Sequence, residues 1–120
     1  MIQKISAPDN VVAFRALGEI TEEDYQKTVA PEVAHLAQQI KEINFLLVLD
    51  TDLEKFTPQA WMDDAMLGLK NSGKWNRAAI VTDSDSILSF TNGFTSISPG
   101  EFRGYKKNSF NEALNWVEGN

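Results

Sequence analysis

The most hydrophobic part of the chain lies between Asn44 and Asp50, where residues 45–49 are all apolar. Apolar and polar positions do not alternate here, so neither face of a strand over residues 43–50 would meet water. This pattern predicts a central strand that is covered by helices. Ligands of open α/β sheets bind just beyond the carboxyl ends of such strands, and Asp50 and Asp52 hold that position.

Four other segments have the pattern of strands. Residues 2–6 and 11–17 flank the turn-forming sequence Ala-Pro-Asp-Asn at residues 7–10, which predicts a β-hairpin at the start of the chain. Residues 77–82 contain an apolar run and predict a second buried strand. Residues 101–107 predict the last strand.

The first and last predicted helices carry recognisable end signals. The first begins at Thr21, whose side chain is expected to cap it, and apolar residues at spacings of three and four continue it to Ile40. Pro31 falls inside that stripe and should kink or restart the helix, because its nitrogen carries no hydrogen. The terminal helix begins at Ser109, which with Glu112 forms the S-x-x-E pattern of a capping box.

Two further helices are predicted between the inner strands. One begins at Thr57 and Pro58, and the other covers about residues 84–92. The order of elements is then ββαβαβαβα, in one domain of residues 1–120. Strands that alternate with helices predict parallel crossovers, and the opening hairpin adds an antiparallel strand. The predicted fold is an α/β mixed sheet of about five strands with helices packed on it.

Composition and charge limit the classes of function. The formal net charge of −6 argues against binding to nucleic acid, whose phosphates need clustered basic residues. The basic pair Lys106-Lys107 is expected to decorate an edge strand instead. The chain has no cysteine and no apolar run of the roughly 20 residues that span a bilayer. These features predict a cytoplasmic protein without disulfides, thiolate metal sites or an integral membrane segment.

Five short sequences follow one another in a characteristic order and spacing. They are Gly-Glu-Ile-Thr-Glu-Glu-Asp-Tyr at residues 18–25 with Pro31 beyond it, Leu-Leu-Val-Leu-Asp at 46–50, Phe-Thr-Pro-Gln-Ala-Trp at 56–61, Trp-Asn-Arg-Ala-Ala-Ile-Val at 75–81 and Pro-Gly-Glu-Phe-Arg at 99–103. Over nearly its whole length the chain resembles the SpoIIAA-like family, which is related to the STAS domains of anti-sigma-factor antagonists. The resemblance implies a mixed sheet with helices packed over it, in a family with no defined enzymatic activity.

The resemblance also implies a mode of action. STAS relatives bind a protein partner, and they are switched by phosphorylation of a serine at the start of the helix after the central strand. That serine lies in an Asp-x-Ser-Gly-like motif, whereas the corresponding residues 49–57 contain no Ser-Gly. The phosphorylation switch therefore does not carry over to this chain, and Thr57 is interpreted as a helix cap.

Acidic residues follow the two inner strands, and these are Asp50, Asp52, Asp83 and Asp85. Carboxylates at neighbouring strand ends are ligands that Mg²⁺ accepts. Asp50, Thr82 and Lys106 also match the phosphoacceptor, threonine and lysine positions of a response-regulator receiver. The first two strands, however, end in no acidic pair to hold the metal that phosphoryl transfer needs. We therefore expect the aspartates to cap turns and helices, with a Mg²⁺-dependent phosphoacceptor at Asp50 as an alternative.

An apolar loop is the best candidate for a partner-binding surface. Phe90, Phe94 and Ile97 stand among turn-forming residues, where solvent exposure is expected. An exposed patch of this kind indicates an interface. The alternative is that Phe94 and Ile97 fold back under the loop. The predicted surface combines this loop with the helix that begins at Thr57.

The remaining candidates are a pocket and a lone histidine. Trp61, Met62 and Met66 could line a pocket for a small apolar or lipid-like ligand, although packing of their helix on the sheet explains them more simply. His35 is expected on a helix surface.

The favoured interpretation is a non-enzymatic module without cofactor or metal that binds a protein partner or a second copy of itself. Binding of an apolar ligand is the first alternative, and the phosphoacceptor at Asp50 is the second.

Overall fold

The sheet that the sequence predicts is present. The computed structural model describes residues 1–18, 22–50, 75–85, 88–89 and 101–119. Within these ranges the strands are β1 (Ile2–Lys4), β2 (Val12–Leu17), β3 (Ile43–Asp50), β4 (Trp75–Val81) and β5 (Glu101–Tyr105). They stand in the order β1-β2-β3-β4-β5, with β1 antiparallel to β2 and the other neighbours parallel. The mixed five-stranded sheet with an N-terminal hairpin is therefore confirmed.

Residues 22–40, between β2 and β3, are helical with an irregular middle. A short helix α1 (Glu22–Asp24) leads into a π-helical segment (Tyr25–Val29) and then into α2 (Ala30–Ile40). Pro31 lies in the first turn of α2. A proline ring clashes with the carbonyl four residues earlier and cannot bond to it, which accounts for the wider turn just before Pro31. The sequence predicted a kink or a restart at Pro31, and the structure has a π-helical segment directly before it, with residues 22–40 helical throughout.

Helix α2 covers one face of the sheet. Val33, Leu36 and Ala37 of α2 are buried against side chains from alternate positions of the strands. The largest fully buried residues of this layer are Phe14, Ile43, Phe45, Leu47, Leu49 and Ile80. The side chains of β3 that point this way are the odd-numbered ones, as the two-residue period of a strand requires.

The opposite face of the sheet is covered by the last helix. After a 3₁₀ turn (Lys107–Ser109), α3 (Phe110–Glu118) places Ala113 and Val117 against this face. Leu46, from the middle of β3, is fully buried here, as Leu47 is on the α2 side. The apolar run of β3 thus has helices on both sides, which confirms the interpretation of that run as a central strand.

A chain of asparagine side chains joins the sheet to the end of α3. Asn76 donates a hydrogen bond of 2.8 Å to Oδ1 of Asn44, which donates one of 2.9 Å to the carbonyl of Asn10. Asn10 in turn donates to the carbonyl of Glu118 at 2.9 Å. Asn44 is only 1% exposed, so its amide needs these partners. Asn44, near the start of β3, therefore fixes α3 to the sheet through Asn10.

One helix start differs from its prediction. Ser109 precedes α3, but its side chain makes no capping hydrogen bond, so the capping box with Glu112 is wrong. The reason is the 3₁₀ turn, which leaves Ser109 with φ −108° and ψ 24° instead of the extended backbone that a capping side chain requires.

The last strand is also shorter than predicted. Because β5 ends at Tyr105, Lys106 and Lys107 lie beyond the sheet and do not decorate its edge.

Several predicted features fall outside the described residues. The helix from Thr57 and the cap at Thr21 are among them. Of the helix predicted over residues 84–92, residues 84, 85, 88 and 89 are described, and all of these but residue 84 are helical. In the described part of the chain, no helix is long and apolar enough to cross a bilayer.

Candidate functional site

Asp50 stands at the carboxyl end of β3 and binds two cationic side chains. On the neighbouring strand β2, Arg15 pairs in register with Val48, so its side chain and that of Asp50 lie diagonally on one face. The guanidinium of Arg15 donates a hydrogen bond to Oδ2 of Asp50. The ammonium of Lys107, from the turn after β5, donates to Oδ1 at 2.8 Å. Both carboxylate oxygens therefore have a cationic donor.

This arrangement keeps Asp50 ionised. The hydrogen bond from Lys107 and then the one from Arg15 lower the pKa of Asp50 to about 2. The side chain is about one-third exposed, so burial opposes this shift only weakly. At physiological pH the group is a carboxylate between two cations, and its affinity for a proton is low.

The other described acids of this edge also bind the chain after β5. Oδ1 of Asp83 accepts the backbone N–H of Lys107 at 3.1 Å. Asp85 accepts a hydrogen bond of 2.8 Å from the ammonium of Lys106, which lowers the pKa of Asp85 and raises that of Lys106. We call Arg15, Asp50, Asp83, Asp85, Lys106 and Lys107 the carboxyl-end charge cluster. It joins β2, β3, the end of β4 and the turn before α3.

The lysine assigned to the receiver-like arrangement is wrong. The side chain that reaches Asp50 is that of Lys107, whereas Lys106 binds Asp85. Thr82 is fully buried, and its hydroxyl oxygen accepts the backbone N–H of Ser84 at 3.2 Å. The signal that could have identified Lys107 was the basic pair after the last strand. Arg15 could be paired with Asp50 only once the register of β2 on β3 was known.

The side chains around Asp50 do not form a suitable set of ligands for Mg²⁺. Mg²⁺ needs several oxygen ligands at close range, whereas the oxygens of Asp50 face a guanidinium and an ammonium. Among the residues that the structure describes, no three acidic, histidine or cysteine side chains come together to hold a metal ion. The arrangement is that of an ion-pair network, in which the carboxylate of Asp50 is a weak base.

A second group of polar and aromatic side chains surrounds Trp116 of α3. The guanidinium of Arg103 lies 4.9 Å from the centre of the indole ring, and that of Arg77 lies 5.2 Å from it. The ring of Tyr105 is 6.2 Å away, centre to centre. We call these four residues the Trp116 cluster. The sequence pattern predicted the apolar stripe of α3 but not this group, because only the sheet register brings the two arginines under one ring.

The remaining predicted site residues are not brought together with either group. Phe90, Phe94, Ile97 and Thr57 of the predicted partner surface lie outside the described residues, as do Trp61, Met62 and Met66 of the predicted pocket and Asp52 of the acidic set. His35 is exposed on α2, as expected. It lies at the rim of a depression of about 180 Å³ beside the connection between β1 and β2.

Comparison with known proteins places this chain in a family. The family model described as SpoIIAA-like matches residues 11–118. The chain is similar to an uncharacterised protein of the DUF3478 family from Shewanella loihica PV-4, whose crystal structure has a SpoIIAA-like fold. The two sequences are 31% identical, the structures superpose with a TM-score of 0.64, and the match covers 98% of this chain and 92% of that one. No curated protein matches the chain. The chain therefore belongs to the SpoIIAA-like family, as its sequence motifs implied.

Proposed function

We propose that this protein is a non-catalytic module that binds a protein partner, or a second copy of itself, through the carboxyl end of its sheet. The observation that supports this is the carboxyl-end charge cluster. It presents charges of both signs that are held in place by ion pairs and yet remain in contact with solvent. Arg15 and Lys106 are about half exposed, and Asp85 is 90% exposed.

The chemistry of Asp50 supports binding over catalysis. A carboxylate with a pKa of about 2 is a poor general base at neutral pH, because it takes up a proton unfavourably. Its two oxygens are already engaged by Arg15 and Lys107. The cluster instead fixes the relative positions of strand ends, which lowers the entropic cost of presenting a surface to a partner.

The remainder of the proposed surface follows the same strand ends in the sequence. Thr57 comes after Asp50, the last residue of β3, and Phe90 and Phe94 come after the end of β4. In our proposal the apolar loop of residues 90–97 and the start of the Thr57 helix belong to the partner surface. The related STAS domains act by binding proteins, which agrees with this mode of action. We also propose that the protein acts in the cytoplasm.

Site-specific crosslinking in cells of the source organism tests this function. A photoreactive p-benzoylphenylalanine replaces Asp85 in one variant and the exposed Gln39 of α2 in a matched control, which lies near the opposite end of the strands. We expect a discrete crosslinked species with the probe at residue 85 and none with the probe at residue 39. Mass spectrometry then distinguishes a second copy from another protein. Absence of a crosslink at residue 85, or equal crosslinking at both positions, would overturn the proposal.

A further inference from the structure

Arg103 and Trp116 form a pre-positioned cationic group on the α3 side of the sheet. The guanidinium of Arg103 lies 4.9 Å from the centre of the Trp116 ring, and the residue is exposed. A guanidinium in this position gains from the negative face of the indole while its N–H groups remain available to a ligand. The contact restricts a side chain that would otherwise lose much rotamer freedom on binding.

The second guanidinium of the cluster differs because it is engaged within the protein. Arg77 donates a hydrogen bond of 2.6 Å to the carbonyl of Trp116, and it lies 3.8 Å from the carboxylate of Glu101. Arg103 has no carboxylate partner among the residues that the structure describes. Arg77 therefore fixes the backbone of Trp116, and Arg103 is the more exposed of the two cations.

Two properties indicate what the Trp116 cluster binds. Trp, Tyr and Arg are the residue types that supply most of the binding energy at protein interfaces, and the cluster consists of these types alone. The cluster carries two cations, and Arg77 has the neighbouring carboxylate of Glu101 as its partner, in a chain whose formal net charge is −6. The patch is thus opposite in sign to the chain as a whole, so a ligand with a carboxylate fits it.

We propose that Arg103, supported by Trp116, binds a carboxylate side chain in an acidic segment of a partner protein. This inference rests on the proposed function, and it adds to the carboxyl-end surface one contact on the α3 face of the sheet. A guanidinium pairs with a carboxylate through two parallel N–H groups, which gives direction as well as strength. A nucleic acid fits less well, since the phosphate backbone needs a row of cations. Two chains that each carry a charge of −6 repel one another, which disfavours a second copy as the occupant.

Nuclear magnetic resonance of the ¹⁵N-labelled full chain tests the proposal. The probe is tetraglutamate with both ends blocked, and tetraglutamine is the uncharged control peptide. We expect tetraglutamate to shift the side-chain N–H signals of Arg103 and Trp116 in a saturable manner, and tetraglutamine to leave them unchanged. Arg103→Gln should weaken the affinity about tenfold. Lys41→Gln removes an exposed cation on the α2 side and should have no effect.

Each other outcome contradicts the proposal in a defined way. Absence of shifts at Trp116, or shifts that survive unchanged in Arg103→Gln while that variant keeps a folded spectrum, would overturn it. Arg103→Lys keeps the charge but loses the planar fork, so affinity equal to wild type would show that charge alone matters and that the stacked geometry does not. If the side-chain signals of Arg103 and Trp116 shift with protein concentration in the absence of peptide, the surface binds a second copy of the chain instead. In all these cases, a crosslink with the probe at residue 85 would still support the proposed function.

Discussion

The ammonium of Lys107 donates a hydrogen bond of 2.8 Å to Oδ1 of Asp50, which lies 57 residues earlier in the chain. The backbone N–H of the same lysine is bound by Asp83, and the other oxygen of Asp50 is bound by Arg15. A single carboxylate at the end of the central strand therefore connects β2, β3 and the turn that begins α3. The shape of the proposed binding surface depends on this connection.

Asp50→Asn should lower the free energy of unfolding at neutral pH, because the amide keeps the size of the side chain but loses its charge. The folded pKa of about 2 lies below the value of roughly 3.9 for an unfolded aspartate. The ionised group therefore stabilises the fold above about pH 4, and this contribution is lost as the pH falls toward about 2. Urea unfolding of both proteins across this range should show a difference that shrinks toward the acid end.

Asp85→Asn is the matched control for this pH dependence. Asp85 also binds a lysine, but its side chain is 90% exposed, so solvent screens the ion pair. We expect a clearly smaller change in the free energy of unfolding than for Asp50→Asn. If the difference between wild type and Asp50→Asn stayed constant down to the acid end, the charge of Asp50 would not be the source of the stabilisation.

Asn44→Ala should destabilise the protein by about 2–3 kcal/mol, since it removes the middle of the asparagine chain. It leaves the carbonyl of the half-buried Asn10 and the amide of Asn76 without their partners. Asn76→Ala is the control, because Asn76 is exposed and water replaces its bond to Asn44; the expected cost is about 1 kcal/mol or less. Chemical denaturation measures the free energy of unfolding of both variants. Equal losses of stability would show that the burial of Asn44 is not the cause of the larger expected effect.

Gly104→Ala should destabilise the protein by about 1–3 kcal/mol through a steric clash. A Cβ at this position of β5 would lie 2.7 Å from Cδ2 and 3.2 Å from Cα of Leu88. The side-chain atom can move, but the backbone of Leu88 can give only a little. The entropy lost by the unfolded chain would favour alanine by about 0.4–1 kcal/mol, which is less than the cost of the clash.

A double-mutant cycle separates these effects at Gly104. Leu88→Ala removes Cδ2 and leaves the backbone contact, so Gly104→Ala should cost less in that background than in wild type. The thermal midpoint and the urea midpoint of the four proteins supply the measurement. Additive losses would mean that Leu88 and residue 104 do not compete for the same space.

The sequence predicted the sheet because its signals are local. The apolar run before Asp50 and the turn residues at 7–10 each require only neighbouring residues, and both interpretations are confirmed. The ion pairs could not be predicted in the same way. Arg15 meets Asp50 only through the register of β2 on β3, and Lys107 was assigned to a strand that ends at Tyr105. The motifs identified the family, whereas contacts between distant residues required the structure.

Incubation with Mg²⁺ and acetyl phosphate should not add a phosphoryl group to Asp50. Phosphoryl transfer to a carboxylate needs a metal ion to neutralise the charge that develops, and the oxygens of Asp50 are occupied by Arg15 and Lys107 instead. Intact-mass spectrometry measures the result, with a receiver domain of known activity under the same conditions as the positive control. An adduct on wild type that is lost in Asp50→Asn would overturn the non-catalytic interpretation. Arg15→Gln serves as a further test, because removal of the guanidinium exposes Oδ2 but still supplies no metal ligand, so this variant should also remain unmodified.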